Sequence, residues 1–341
     1  MVTFTQEVSS IGSAAHLIHQ ALRSYDIDPQ PLFATAGIDP QHYADPNARI
    51  LTTRLQKLWQ LSVDKTGDES FGLVVAERMQ PAALHGLGFA WLASDTLRDA
   101  LTRLARFSRL INTLVDIRLE DKPGGTELCY HGPEKWPNFV SASGDAGLAV
   151  FLRMCRLTAA SELRPLSVQM YRSRPQDSTP FERFFDAPIQ YDAECYKLVF
   201  DTVLLDTTLP LANPELARLN DETVVKYLAR FDRSDIVLQV RSRIIETLPA
   251  GLPQPGKIAE SINVSLRNMQ RKLKDENTNY RQLLEQTRKE LALQYIKEHH
   301  HSISEITYML GFTEPSNFTR AFRRWTGNSP TEYRSRASGE I

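Results

Sequence analysis

The chain has 341 residues, 42% of them hydrophobic and 24% charged, with a formal net charge of −1. That composition belongs to folded globular domains and excludes a disordered chain, and the length suggests two domains. The three cysteines, Cys129, Cys155 and Cys195, lie far apart without metal-ligand spacing, an odd number that suits a reducing cytosol better than a disulfide framework.

The opening residues, Met1 to Glu7, have no basic segment and no apolar core, so no signal peptide is expected. The first predicted element is a helix over residues 9–25, with Ile11, Ala15, Ile18 and Leu22 on one side. A short helix over 31–36 ends at Gly37. Residues 54–66 follow as a helix with Leu55, Leu58, Trp59 and Val63 in a stripe, and 71–79 and 84–92 read as apolar and partly helical. Ser94 is placed to cap a helix over 96–112, with Leu97, Leu101, Leu104 and Phe107 inward.

The pattern then changes period. Residues 114–120 and 126–131 alternate apolar and polar around Pro123-Gly124-Gly125, which predicts a β-hairpin. A helix over 146–161 contains the longest apolar run, which Arg153 interrupts and which is too short to cross a membrane. Alternation resumes at 165–172, a short helix is expected at 179–185, and brief strands at 189–191 and 197–200. This mixture predicts an α+β N-terminal domain, helices packed on a small, mostly antiparallel sheet. Residues 214–235 read as a bridging helix and loop, whose incomplete apolar stripe (Leu216, Leu219, Val224, Tyr227, Leu228, Phe231) packs on its own domain or serves a dimer contact.

The C-terminal third writes one unit twice. Ile258, Ile262, Val264, Met269, Arg271 and Leu273 of the first copy match Ile306, Leu310, Phe312, Phe318, Arg320 and Phe322 of the second, with one extra residue at Thr313. Each copy is a short apolar helix, a tight turn and a second helix with a basic face, the pattern of a helix-turn-helix. In the first copy Leu266, Met269 and Leu273 form the inward stripe, Arg267, Gln270, Arg271 and Lys274 the opposite face, and Ser265 is the N-cap. In the second, Phe318, Ala321, Phe322 and Trp325 point inward, and Ser316, Asn317, Arg320, Arg323 and Arg324 outward. Pro315 suits the first helical turn and Gly311 a left-handed C-cap. Residues 280–299 between the copies keep a helical period without Pro or Gly, and twenty helical residues span about 30 Å. Major grooves on one face of B-DNA recur at about 34 Å, so such a strut could seat both basic helices in adjacent turns.

Charge follows the same division. Between Asp235 and Ile341 there are 16 Lys+Arg against 12 Asp+Glu, while the rest of the chain holds 24 against 29. A positive C-terminal part beside a negative N-terminal part is expected where only the former meets phosphate. Arg267, Gln270 and Arg271, with Asn317 and Arg320, are the candidate base readers, because Arg pairs with guanine and Gln or Asn with adenine in the major groove. Lys272, Lys274, Arg323 and Arg324 are the phosphate candidates, and Ser265, Asn268, Ser316 and Thr319 complete the DNA-binding set.

Arg288-Lys-Glu-Leu-Ala-Leu-Gln-Tyr295 in the joining helix and residues Leu310 to Pro330 of the second unit resemble the AraC/XylS family of bacterial transcription regulators. Phe181 to Tyr191, Leu198-Val-Phe-Asp201, Leu209 to Leu216 and Gly86 to Leu97 resemble the effector domain of one subgroup, labelled arabinose-binding by descent, from which sugar binding does not follow. The resemblance implies a regulatory domain at 1–212, a linker helix and loop at 213–235, and an all-α DNA-binding domain at 236–341. In the last, helix-turn-helix units at about 255–276 and 303–326 are joined by a long helix. Thr307 stands where the family has a small Ala, and Asn277 where a Gly often ends the first recognition helix. Pro315 and Ser316 stand where some members present base-reading side chains, so the second half should read fewer bases directly.

The expected function is a cytoplasmic, sequence-specific regulator, an activator by resemblance. Its expected partners are double-stranded promoter DNA, a small-molecule effector, RNA polymerase and a second copy as a homodimer, with no membrane. One competing reading is a ligand-independent regulator whose N-terminal domain only dimerises. Another is an enzyme with an auxiliary DNA-binding domain, but no nucleophile elbow, phosphate loop or zinc motif supports it. Consecutive His299, His300 and His301 do not share one helix face. No metal, cofactor or catalytic residue is therefore expected.

Overall fold

The computed structural model describes residues 8–39, 45, 47–131, 138–159, 162–231, 236–298 and 301–337. The chain divides into two compact units, residues 1–213 and 214–341.

The first unit opens on a strand. β1 (Ser9–Ile11) pairs antiparallel with β2 (Arg49–Leu51), Ser10 opposite Ile50. The expected helix over 9–25 is therefore shorter, α1 (Ser13–Arg23), because Ser9 to Ile11 finds ladder partners far along the chain that a local period does not reveal. Arg49 fixes this corner, donating from Nε to Ser9 Oγ at 2.8 Å and from Nη1 to the Leu110 carbonyl at 2.8 Å. After α2 (Gln30–Ala36) come α3 (Thr52–Thr66), α4 (Phe71–Glu77), α5 (Gly86–Leu92) and α6 (Leu97–Arg106). Thr96, not Ser94, caps α6: its hydroxyl accepts from the Asp99 amide, whereas buried Ser94 donates back to the Ala90 carbonyl. The expected helix over 96–112 breaks at Phe107 and resumes as the single turn α7 (Ser108–Ile111).

The main sheet has five strands: β3 (Asp116–Lys122), β4 (Gly125–His131), β5 (Ser167–Gln169), β6 (Ile189–Gln190) and β7 (Tyr196–Phe200), in the order β3-β4-β7-β5-β6. Only β5–β6 is parallel. The hairpin puts Leu119 opposite Leu128. Leu128, Tyr130, Tyr196, Leu198 and Phe200 alternate onto one buried face, against α8 (Ser141–Thr158). That helix begins five residues earlier than its apolar period suggests, since Ser141 to Asp145 is a small, polar first turn with its own partners. Gly144 is required there: a Cβ would stand 2.4 Å from the Tyr196 ring. Asp145 is fully buried, accepts from Arg172 Nη1 at 2.7 Å and from the Tyr196 hydroxyl at 3.3 Å, and ties α8 to the sheet. α9 (Thr179–Phe185) and α10 (Thr202–Asp206) complete the unit.

The second unit is helical around one core. α11 (Pro214–Phe231) packs on α12 (Ile236–Thr247) and on the joining helix, so it belongs to this unit's own packing. Then come α13 (Pro255–Ser261), α14 (Leu266–Asp275), α15 (Tyr280–Lys297), α16 (Ile303–Met309), α17 (Pro315–Thr326) and α18 (Pro330–Ala337). Val240, Ile244, Leu248, Met269, Leu273, Ile296, Phe318 and Phe322 share this core. The long helix has 18 residues, about 27 Å by the rise per residue, slightly less than its sequence period suggested. No described helix is long and apolar enough to cross a membrane.

Candidate nucleic-acid interface

The two repeats fold alike down to single hydrogen bonds. α13 ends at a left-handed Asn263 (φ 58°), and the Val264 amide donates to the Ala259 carbonyl at 3.0 Å. α16 ends at a left-handed Gly311 (φ 67°), and the Phe312 amide donates to the Thr307 carbonyl at 3.1 Å. Each is the helix-ending motif that turns the chain through a left-handed residue, and Asn tolerates that conformation better than other side chains. At Gly311 the need is stricter, because a Cβ would meet the Gly251 carbonyl oxygen at 2.9 Å. Thr307 is accommodated by donating its hydroxyl to the Ile303 carbonyl at 2.8 Å.

The recognition helices α14 and α17 start differently. Ser265 Oγ accepts from the Asn268 amide at 3.2 Å, which occupies this side chain as an N-cap. Glu314 makes no such bond, and Pro315 at the first position has no amide to satisfy. α14 closes at left-handed Asn277 (φ 56°), with the Thr278 amide on the Leu273 carbonyl at 2.9 Å.

Met269 and Leu273 are buried, as are Phe318, Ala321 and Phe322. Leu266 is not: it stands 38% exposed at the helix start, where the first turn has already left the core. Trp325 is half-buried, its indole N–H donating to Glu285 Oε1 at 3.0 Å.

On the outer faces Arg267, Gln270, Arg271 and Lys274 of α14 are exposed, as are Ser316, Asn317, Arg320, Arg323 and Arg324 of α17. A pair recurs in both helices. Arg271 donates to Asn268 Oδ1 at 3.0 Å, and Arg320 donates to Asn317 Oδ1 at 2.6 Å. In each case an Asn one turn earlier holds the guanidinium against the helix, so the fork starts out partly ordered. Asn268, Thr319 and Lys272 are half-buried, and Lys272 lines a groove with Ser261, Asn263 and Glu246, away from the Arg267–Arg271 face. Arg324 is held by Glu285 Oε1 at 2.6 Å, and those donors, the Trp325 indole first, hold the Glu285 carboxyl below its usual range.

Two positioning residues escaped the sequence reading. Arg288 of α15 forks onto the turn that follows α16, donating to Leu310 O and Gly311 O at 2.8 Å each, with its guanidinium 4.2 Å from the Phe312 ring centre. It welds the strut to the second turn, and burial lowers its pKa. Arg218 of α11 donates to Glu298 at 2.7 Å and to Glu222 at 2.7 Å, over the Tyr295 ring at 4.7 Å, fixing the far end of the strut. Both lie at helical spacing among charged neighbours, where sequence cannot distinguish a buried fork from a solvated one. Of the three consecutive histidines, His299 and His300 fall outside the described residues, and His301 Nε2 lies 3.4 Å from Glu298.

Two helix-turn-helix units on one core, each presenting a basic recognition helix, define a DNA-binding transcription regulator rather than an enzyme. The comparisons agree. The arabinose-binding domain of AraC transcription regulator, N-term, matches residues 27–209, and a helix-turn-helix domain matches residues 258–336. The chain belongs to the AraC family of transcription regulators. The ornithine utilization regulator of Pseudomonas aeruginosa is 26% identical over 335 residues, covering 98% of each chain. The HTH-type transcriptional regulator GadX of Escherichia coli is 37% identical over 85 residues, 25% of this chain and 31% of that one. The crystal structure of transcriptional regulator CdpR from Pseudomonas aeruginosa shares the fold, with a TM-score of 0.50 and 19% identity over 95% of this chain and 98% of that one.

Proposed function

We propose that the protein is a cytoplasmic activator that reads promoter DNA with α14 and α17 and answers a small, uncharged effector held in its N-terminal unit. The repeated Asn–Arg pair carries the DNA part: Asn268–Arg271 and Asn317–Arg320 sit at equivalent positions on both recognition helices, with both arginines exposed. Arg267, Gln270, Arg271, Asn317 and Arg320 read bases, with Asn268 and Asn317 aiming the guanidinium forks. Lys274, Arg323 and Arg324 bind phosphate, and Ser265, Ser316 and Thr319 line the approach, while the groove position of Lys272 takes it off this face. Activation follows the family's usual sign and involves RNA polymerase, with a second copy on the neighbouring half-site.

The effector part rests on a cavity of about 110 Å³ inside the first unit, walled by Leu17, Trp59, Met79, Val115, Tyr130 and Phe151 among others. Its polar edges already pair with one another. Asn112 Nδ2 donates to Ser10 Oγ at 2.7 Å and to Thr52 Oγ1 at 2.8 Å, and Gln56 Oε1 accepts from the Val140 amide at 2.7 Å. Among the described residues of its wall Tyr130 is the one titratable group. A charged ligand would enter without a counter-charge, at a cost of several kcal/mol. The name of the Pseudomonas relative concerns ornithine utilization, but a charged amino acid does not suit these walls. The volume is below the roughly 150 Å³ of an engineered cavity that takes benzene, so a larger effector displaces wall side chains. Footprinting on the protein's own genomic neighbourhood, with and without a panel of small apolar acceptor-bearing molecules, tests both parts. A protected promoter site that responds to one of them supports the proposal. Protection that no effector alters supports an N-terminal unit that only dimerises.

A further inference from the structure

The face of the sheet turned away from α8 gathers donors that the sequence keeps apart. Strand alternation sends Leu128 and Tyr130 of β4 to the core and leaves Glu127, Cys129 and His131 on the other side. The β4–β7 ladder pairs Cys129 with Lys197 and Tyr130 with Tyr196, and Cys195, in the bend just before β7, comes close to His131. The two sulfurs and a His131 ring nitrogen lie within 4.8 Å of one another. Cys129 and Cys195 are buried, while His131 is half-exposed and gives the cluster an opening to solvent.

From this geometry we infer that Cys129, His131 and Cys195 form a zinc site in the N-terminal unit. Two thiolates and an imidazole are soft donors that select zinc-like cations and reject magnesium and calcium. With bond lengths of about 2.3 Å to sulfur and 2.0–2.1 Å to nitrogen, tetrahedral zinc sets its donors roughly 3.5–3.8 Å apart, so side-chain rotations of about an ångström close the site. Beside the cluster, Glu127 Oε2 accepts from Cys129 Sγ at 3.9 Å and is steered by Lys197 Nζ at 2.9 Å. Lys197 also offsets the charge that two thiolates bring. A disulfide is the rival use of these sulfurs, and the titration and alkylation below distinguish the two.

The test uses the full chain, reduced and stripped of metal. Zinc is titrated against a chromophoric competitor, and cobalt(II) is added separately as a spectroscopic probe. The expected result is one ion per chain, with thiolate-to-cobalt charge transfer and the visible bands of a tetrahedral ion. Cys129→Ser, Cys195→Ser and His131→Gln should each weaken binding at least about tenfold, a loss that even an outer-shell partner's removal can bring. Cys155→Ala, on the core side of α8, should leave it unchanged. In the unmutated protein zinc should slow alkylation of Cys129 and Cys195 together, which needs no variant to fold. The inference is overturned by a cobalt spectrum without thiolate charge transfer, by zinc affinity indifferent to all three substitutions, or by a Cys129–Cys195 disulfide that forms in the presence of excess zinc. DNA enters none of these readings, so they are independent of the operator proposal.

Discussion

Arg288→Ala tests how the second reading head is held to the strut. Arg288 donates to Leu310 O and Gly311 O at 2.8 Å each and stacks on Phe312. Hydrogen bonds from a charged donor contribute roughly 1.5–3 kcal/mol each, and a partly exposed cation–π contact about 0.5–1 kcal/mol. One rigid fork makes both bonds, so the parts do not add fully, and the loss should be about 3 kcal/mol. That corresponds to roughly a hundredfold faster opening, at about 1.4 kcal/mol per factor of ten. Native-state hydrogen exchange read on peptides from residues 303–326 should show it, while peptides from β4 and β7 stay unchanged. Arg288→Lys should recover only part of the protection, because an ammonium cannot fork between two carbonyls. Unchanged protection in Arg288→Ala would refute the reasoning.

Asp145→Ala removes the buried carboxylate of Arg172, leaving only the more distant Glu69 at 3.5 Å, and should destabilise the first unit by about 3 kcal/mol, read as a lower urea midpoint. Gly144→Ala places a methyl against the Tyr196 ring and should cost about 1–3 kcal/mol in the same assay. Glu285→Gln releases Arg324 and removes a negative charge near the phosphate side, so DNA binding should tighten and its salt dependence steepen. Because its folded pKa is lowered, the stability from the Glu285 contact should be complete above pH 4.5 and disappear only as pH falls through the lower folded value, followed by Trp325 fluorescence.

The parts legible in the sequence were those written in local periods. Met269, Leu273, Phe318 and Phe322 recur at helical spacing behind a turn, and the fold buries all four. The alternation around Pro123-Gly124-Gly125 gave the hairpin because period and turn chemistry agree there. What the sequence hid depends on pairing at a distance. Ser9 to Ile11 is a strand only because Arg49 to Leu51 lies beside it, and three residues carry no period. Cys129 and Cys195 meet through a ladder register that spacing along the chain does not encode. Thr96 and Ser94 are equally good caps by type, and the choice between them was made by the burial of Ser94. Leu266 fits the apolar stripe by phase, yet it precedes the point at which α14 meets the core.

The most direct measurement is operator affinity over a range of salt concentrations for the unmutated protein, Arg271→Ala and Arg320→Ala. Each substitution should cost about 1–3 kcal/mol at the specific site, with little change on unrelated duplex. Equal weakening on every sequence would make these arginines phosphate contacts, and no binding of the unmutated protein to any duplex at low ionic strength would contradict the paired reading heads themselves.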